Sequence, residues 1–160
     1  MTSWGREHEA DAYANMLEQF SKDGRLLAVV SDSYDLWNAL ENIWGGELKE
    51  YVELNGGTLV IRLGSGDPVE VVTQTIERLI DIFGARINGK EYRVLPEFIR
   101  VIQGDGVSRH TIGNILATMK AQKQSAENIA FGMGAELLQK VNRDTMKFAM
   151  KVSAVRVAGE

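Results

Sequence analysis

Leu59-Val60-Ile61-Arg62-Leu63-Gly64-Ser65-Gly66-Asp67-Pro68-Val69-Glu70 passes from an apolar run through a glycine-serine turn into the opening of a helix. A strand covered by helices on both faces reads as an unbroken apolar run, so residues 59–61 point to a parallel, interior strand. Asp67 is placed to cap the helix, Pro68 suits its first position, and Glu70 completes a capping-box arrangement. Val69, Val72, Ile76, Leu79, Ile80 and Phe83 then form one apolar stripe that stops at Gly84. Strand, polar loop and helix in this order make a βα unit.

The same order recurs along the chain. Residues 26–30 run into Ser31-Asp32-Ser33, residues 98–102 into Gln103-Gly104-Asp105-Gly106, and residues 128–131 into Gly132-Met133-Gly134. Helical spacing is expected over 6–22, over 34–44 with a stop at Gly45-Gly46, over 47–54, and briefly over 135–140. Another helix should follow Ser108, with Ile112, Ile115, Leu116 and Met119 inward. Asn88-Gly89 predicts a small hairpin between Arg86-Ile87 and Tyr92-Arg93-Val94, and residues 147–157 alternate like a fifth strand. Units spaced by about thirty to forty residues have the length of a βα crossover. The expectation is a single α/β domain over residues 1–160, with mostly parallel strands and covering helices. Four or five parallel strands do not close an eight-stranded barrel, which leaves an open sheet or half of a barrel. Either way ligands bind beyond the carboxyl ends of the strands, so the four clusters should share one rim.

Composition narrows the classes. The 160 residues are 44% hydrophobic, enough to bury the core of one domain. A net charge of −4 argues against a nucleic-acid or acidic-membrane partner. No apolar stretch approaches the ~20 residues of a membrane span, and the first nine residues lack the apolar segment of a signal peptide. A soluble, cytoplasmic protein is expected. The absence of cysteine excludes disulfides and thiolate chemistry. His8 and His110 both read as surface residues, which argues against a histidine metal centre or a Ser–His–Asp triad. A carboxylate-held magnesium stays open. Trp4, Trp37 and Trp44 read as core or helix-packing residues.

On the rim, Arg62 stands between a strand and a Gly-Ser-Gly turn that opens a helix. Backbone N–H groups, the helix end and a guanidinium would together suit an anion. An ordinary βα turn with a solvated arginine fits the same residues. Asp105, between two glycines, could take ribose hydroxyls or magnesium, or merely shape a turn, and Asp32 is ambiguous in the same way. Gly132-Met133-Gly134 is a weak phosphate-loop signal, and Arg143, Lys147 and Lys151 put positive charge behind it. The residues by themselves describe an α/β protein with an anion-binding rim, for a phosphorylated sugar or a nucleotide.

The wording of the clusters is more specific. Val29-Val30-Ser31-Asp32-Ser33-Tyr34-Asp35 with Ile43-Trp44-Gly45 resembles the nicotinamide phosphoribosyltransferase family. So do Ile61-Arg62 with Ser65-Gly66-Asp67-Pro68, Arg100-Val101-Ile102-Gln103-Gly104-Asp105-Gly106-Val107, and Glu127-Asn128-Ile129-Ala130-Phe131-Gly132. Thr2-Ser3-Trp4-Gly5, Leu137-Leu138-Gln139-Lys140 and Arg143-Asp144 extend the likeness over essentially the whole chain. The resemblance implies a partial, half barrel of the type II phosphoribosyltransferase kind and a homo-oligomer with sites at subunit interfaces. It implies NAD salvage: nicotinamide and phosphoribosyl pyrophosphate give nicotinamide mononucleotide and diphosphate, with magnesium and with ATP-coupled phosphorylation of a histidine. It assigns Asp32 to the catalytic diphosphate region, Arg62, Gly104 and Asp105 to the nicotinamide-ribose pocket, and Gly134, Arg143 and Lys151 to the phosphates.

Departures from the family pattern are equally specific. The family's phosphorylated histidine lies just upstream of the Thr-Ser-Trp-Gly motif, before Met1, as does its aromatic nicotinamide clamp. Its chain continues past Glu160. Where the family has Arg-Pro-Asp-Ser-Gly this chain has Arg62-Leu63-Gly64-Ser65-Gly66, without the carboxylate that would join Asp105 in gripping the ribose. Glu136 stands where the family's phosphate loop is glycine-rich, and Val152 replaces a cysteine. The expectation is a chain inactive by itself. A non-catalytic phosphate- or nucleotide-binding module is the alternative, with no cofactor assured for either.

Overall fold

In a computed structural model, residues 3–22, 24–134, 144, 147 and 151–157 are described. Among the described residues six strands and five α-helices follow in the order α1 (Glu9–Phe20), β1 (Leu26–Val30), α2 (Leu36–Asn38), α3 (Lys49–Leu54), β2 (Thr58–Leu63), α4 (Pro68–Phe83), β3 (Arg86–Ile87), β4 (Arg93–Val94), β5 (Ile99–Gln103), α5 (Arg109–Ala121) and β6 (Ile129–Phe131). The main sheet has the order β1-β2-β5-β6, every pair parallel. Each new strand is added beside the last one in the same direction. A doubly wound sheet reverses its order at a switch point, whereas a βα barrel never does. The four strands are therefore wound as an arc of a barrel.

The packing agrees and corrects one expectation. Leu27, Val29, Leu59, Ile61, Leu63, Ile99 and Val101 share one face and join Tyr13, Leu17, Leu40, Trp44, Ile76, Leu79 and Ile115 in a single core. Each such side chain, fully buried, contributes roughly 1.5–3 kcal/mol. The opposite face carries Leu26, Ala28 and Val30 of β1 against Thr58, Val60 and Arg62 of β2, and along β1 it is open among the described residues: Leu26 is 74% and Val30 40% exposed, while Val60 is buried. The described helices that join this core pack on one face, as on the outside of a barrel, and the apolar runs of β1 and β2 are runs because the inner face of a barrel is apolar too.

The N-cap predicted for α4 at Asp67 is realised. Asp67 Oδ1 accepts from the backbone N–H of Val69 and of Glu70, both at 3.0 Å. The helix expected to stop at Gly45-Gly46 does not stop there. After Leu36–Asn38 the backbone continues as a wide, π-type turn over Ala39–Glu47, closed by Leu48 N–H on the Ile43 carbonyl at 2.8 Å. Gly45 serves contact and not termination: a Cβ there would lie 2.7 Å from Ile82 Cγ2 and from the Leu40 carbonyl. Arg78 of α4 stacks on Trp37 and pairs with Glu41, holding the same interface.

The hairpin of β3 and β4 forms around Asn88, but its left-handed residue is Glu91 (φ 64°) and not Gly89. Trp44 is fully buried and stacks on Tyr13 at 4.4 Å. Trp4, by contrast, is 46% exposed and not part of the core. Residues 151–157 form no strand and are exposed, so the fifth strand is not seen where the structure describes it. The helix expected over 135–140 lies outside the described residues.

Candidate functional site

The carboxyl ends of β1, β2 and β5 converge as expected. Val30, Asp32, Arg62, Leu63, Gly64, Ser65, Gly104, Asp105 and Lys151 enclose a cavity of about 340 Å³. Five residues singled out in the sequence (Asp32, Arg62, Gly104, Asp105 and Lys151) thus meet at one place. Gly134 is exposed and does not line the cavity; Arg143 lies outside the described residues.

Each wall has a local cause. Ser31 is fully buried and faces the core, where its hydroxyl donates to the Val29 carbonyl and accepts from Trp44 Nε1 at 3.1 Å. Asp35 caps α2 through the N–H groups of Trp37 and Asn38. Of the first cluster, then, Asp32 is the carboxylate at the cavity. Its Oδ2 accepts from Gly64 N–H at 2.9 Å and from the Ser65 hydroxyl at 2.6 Å. Both bonds fall on one oxygen, which ties the β1 loop to the β2 loop and leaves Oδ1 for a ligand.

Arg62 reaches across β5. A Cβ on Gly104 would lie 3.2 Å from Arg62 Nε and 3.7 Å from its Cζ. The glycine makes room for the guanidinium. Among the described residues neither Arg62 nor Lys151 has an ion-pair partner. Behind them Gln103, buried, donates from Nε2 to the Asp105 carbonyl at 2.7 Å and fixes the Gly104–Gly106 turn. The cavity therefore offers two cations for phosphate oxygens and two carboxylates for hydroxyls or a metal-bound group.

Sequence reasoning missed Ser65 and Gln103. A serine between two glycines on a shared rim marks a hydroxyl near the Asp32 loop, and that spacing was a usable signal. Gln103 gave none, because a strand-end glutamine reads as the edge of solvent. Neither histidine borders the cavity: His8 meets Asp11 at 3.0 Å and His110 meets Asn114 at 3.3 Å, both on exposed helix flanks.

The profile described as the nicotinate phosphoribosyltransferase (NAPRTase) family matches residues 1–160. The chain belongs to the NAPRTase family. It is similar to proteins named nicotinamide phosphoribosyltransferase from Xanthomonas campestris, at 54% identity over 99% of this chain and 34% of that protein. Similar too are those of Mycoplasma genitalium, 35% identical over 98% of this chain and 37% of that protein, and of Acinetobacter baylyi, 26% identical over 99% and 35%. The chain thus spans about a third of the length of these NAPRTase relatives. Among the described residues no helix is long and apolar enough to cross a membrane.

Proposed function

We propose that this chain carries the ribose-phosphate part of a nicotinamide phosphoribosyltransferase site of NAD salvage. In this reading phosphoribosyl pyrophosphate and nicotinamide mononucleotide are its ligands in the cytoplasm. The observation that carries the reading is the strand-end cavity, which Arg62 and Lys151 line together with Asp32 and Asp105 in a chain that follows the family along its whole length.

Transfer of a ribosyl group builds positive charge at the anomeric carbon as diphosphate departs. Arg62 and Lys151 hold phosphate oxygens, and their charge is strongest once the ligand displaces water from the cavity. Oδ1 of Asp32, free of the tether that occupies Oδ2, and the carboxylate of Asp105 face the sugar and stabilise the developing cation. Ser65 keeps Asp32 from swinging toward Arg62. Among the described residues no three His, Cys, Asp or Glu groups gather in the manner of a protein-built metal centre. The carboxylates of Asp32 and Asp105 on the cavity wall would hold magnesium, which keeps water and takes substrate phosphates with one or two carboxylates. Bound there, it would neutralise the leaving diphosphate. Among the described residues neither His8 nor His110 borders this cavity, and in this reading the chain by itself binds without turning over.

Calorimetric titration with phosphoribosyl pyrophosphate and with nicotinamide mononucleotide, with and without magnesium, tests the reading. Binding weakened about tenfold by Arg62→Ala, or ~1.4 kcal/mol, is expected. No heat at millimolar ligand would reduce the chain to a scaffold. Mononucleotide formed above a blank from nicotinamide, phosphoribosyl pyrophosphate, ATP and magnesium would overturn the view that this chain alone is inactive.

A further inference from the structure

A second cavity lies away from the strand ends. A groove of about 450 Å³ runs between the β3–β4 hairpin, α5 and the turn Ala126–Asn128, and it shares no lining residue with the site above. Its apolar part is Tyr92, Leu116 and Met119; Lys90 and Lys120 stand with them, and Gln124 closes one wall.

The groove is held in shape by side chains that span its walls. Asn88 Oδ1 accepts from the N–H groups of Lys90 and Tyr92, while its Nδ2 donates to Ser125 Oγ and to Glu127 Oε1 at 3.1 Å. Arg93 grips Glu77 with both guanidinium ends at 2.6 and 2.7 Å and also reaches the Gln122 carbonyl. Fully buried Asn128 joins the Arg93 carbonyl to the Leu95 N–H. The two turns beside Tyr92 each hold a non-glycine residue in the left-handed region, Glu91 at φ 64° and Lys123 at φ 57°. Such strain persists where the surroundings over-determine it, and it concentrates at ligand clamps. Gln124, 1% exposed, donates from Nε2 to the Thr73 carbonyl and to Glu77, yet its Oε1 has no partner. A buried acceptor left unmet is uncommon and calls for an explanation.

Charge selects the ligand. Glu127, the carboxylate on the groove, is engaged by Asn88, Ser125 and Arg86. Lys90 and Lys120 have no ion-pair partner among the described residues, and Lys123 lies 5.3 Å from the Tyr92 ring centre. On a chain of net charge −4 this is a positive rim over an apolar, aromatic floor. We propose that the groove is a second ligand site, for a small planar aromatic carboxylate whose ring lies against Tyr92, Leu116 and Met119 and whose anion meets Lys90 and Lys120. A concave, preformed, mostly apolar pocket with a few convergent polar groups is the usual form of a small-molecule site.

Naphthalene-2-carboxylate, titrated into the isotope-labelled chain and followed by NMR, is the test. Saturable shifts at Met119, Tyr92 and Ala126 are expected, with affinity at least tenfold lower for the Lys90→Glu/Lys120→Glu variant and for the neutral analogue naphthalene-2-methanol. Both lysines are exposed, so the double variant should keep the wild-type melting temperature. Overturning results are an absence of saturable shifts up to the probe's solubility, shifts confined to the open face at Leu26 and Val30, or equal affinity for the neutral analogue.

Discussion

At the scale of single residues, two glycines separate steric from electrostatic roles. Gly104 has a backbone that any residue could adopt, since it is not among the glycines of positive φ. Its Cβ space is occupied by the Arg62 guanidinium at 3.2 Å. Gly104→Ala should therefore leave the melting temperature nearly unchanged but displace Arg62 by a few tenths of an ångström and weaken phosphate binding several-fold in calorimetry. A large fall in melting temperature with unaltered binding would show that the glycine serves the fold instead. Gly64 is the reverse case. It too lacks a positive φ, and a Cβ would sit 3.7 Å from Asp32 Oδ2, an ordinary contact. Aspartate fits there, and the neighbour it meets is Asp32, where the sequence had pointed to Asp105. Two adjacent carboxylates repel and one holds its proton more tightly unless a cation lies between them. Gly64→Asp should strengthen phosphoribosyl pyrophosphate binding several-fold only with magnesium, and the gain should vanish in an Asp32→Ala background. Equal gains with and without magnesium would refute that arrangement.

At the scale of elements, the link between α4 and the hairpin is electrostatic and so responds to acid. Arg93, hydrogen-bonded to both oxygens of Glu77, holds that carboxyl below its ordinary value, and Asn88 and Ser125 do the same for Glu127. A carboxylate whose folded pKa is depressed adds stability above its unfolded value, about 4.3, and the contribution is lost as pH falls through the lower folded value. Melting temperatures recorded from pH 7 to pH 2 should fall more steeply below about pH 4 in the wild type than in Glu77→Gln. Parallel curves would show that the pair is inert, as many partly exposed pairs are. The elements themselves were largely legible. Apolar runs gave β1 to its exact ends, Asp67-Pro68 gave the start of α4, and Asn88-Gly89 gave the hairpin. What was not legible depends on contact across the chain. Gly45-Gly46 has the local look of a stop, yet Ile82 needs the space, and the helix widens instead of ending. Asp32 could be named as a site residue, but its tether to Ser65 joins residues 33 positions apart and leaves no local trace. The alternation over 147–157 meets no strand where residues 151–157 are described.

At the scale of the whole molecule, the decisive property is a sheet whose second face is open along β1 among the described residues. Four parallel strands in sequential order match half the strand count of an eight-stranded barrel, and on their inner row Leu26, Ala28, Val30 and Arg62 are exposed among the described residues. Unpaired strand edges beside exposed apolar side chains are templates for association. The sequence could not decide between an open sheet and a barrel arc, because both are written with the same βα units. Strand order decides it, and strand order is a property of packing. The consequence is measurable in this polypeptide. Leu26 is already 74% exposed, so replacing it with a charge removes little buried apolar area from the folded chain. Leu26→Glu should therefore hold the melting temperature close to wild type while shifting the sedimentation-velocity distribution toward smaller species. It should also raise the concentration at which the chain precipitates. If Leu26→Glu instead unfolds the chain, the inner face is packed more tightly than its exposure shows. If it unfolds nothing and the distribution stays put, association runs through another surface, and the half-barrel edge is not what brings copies together.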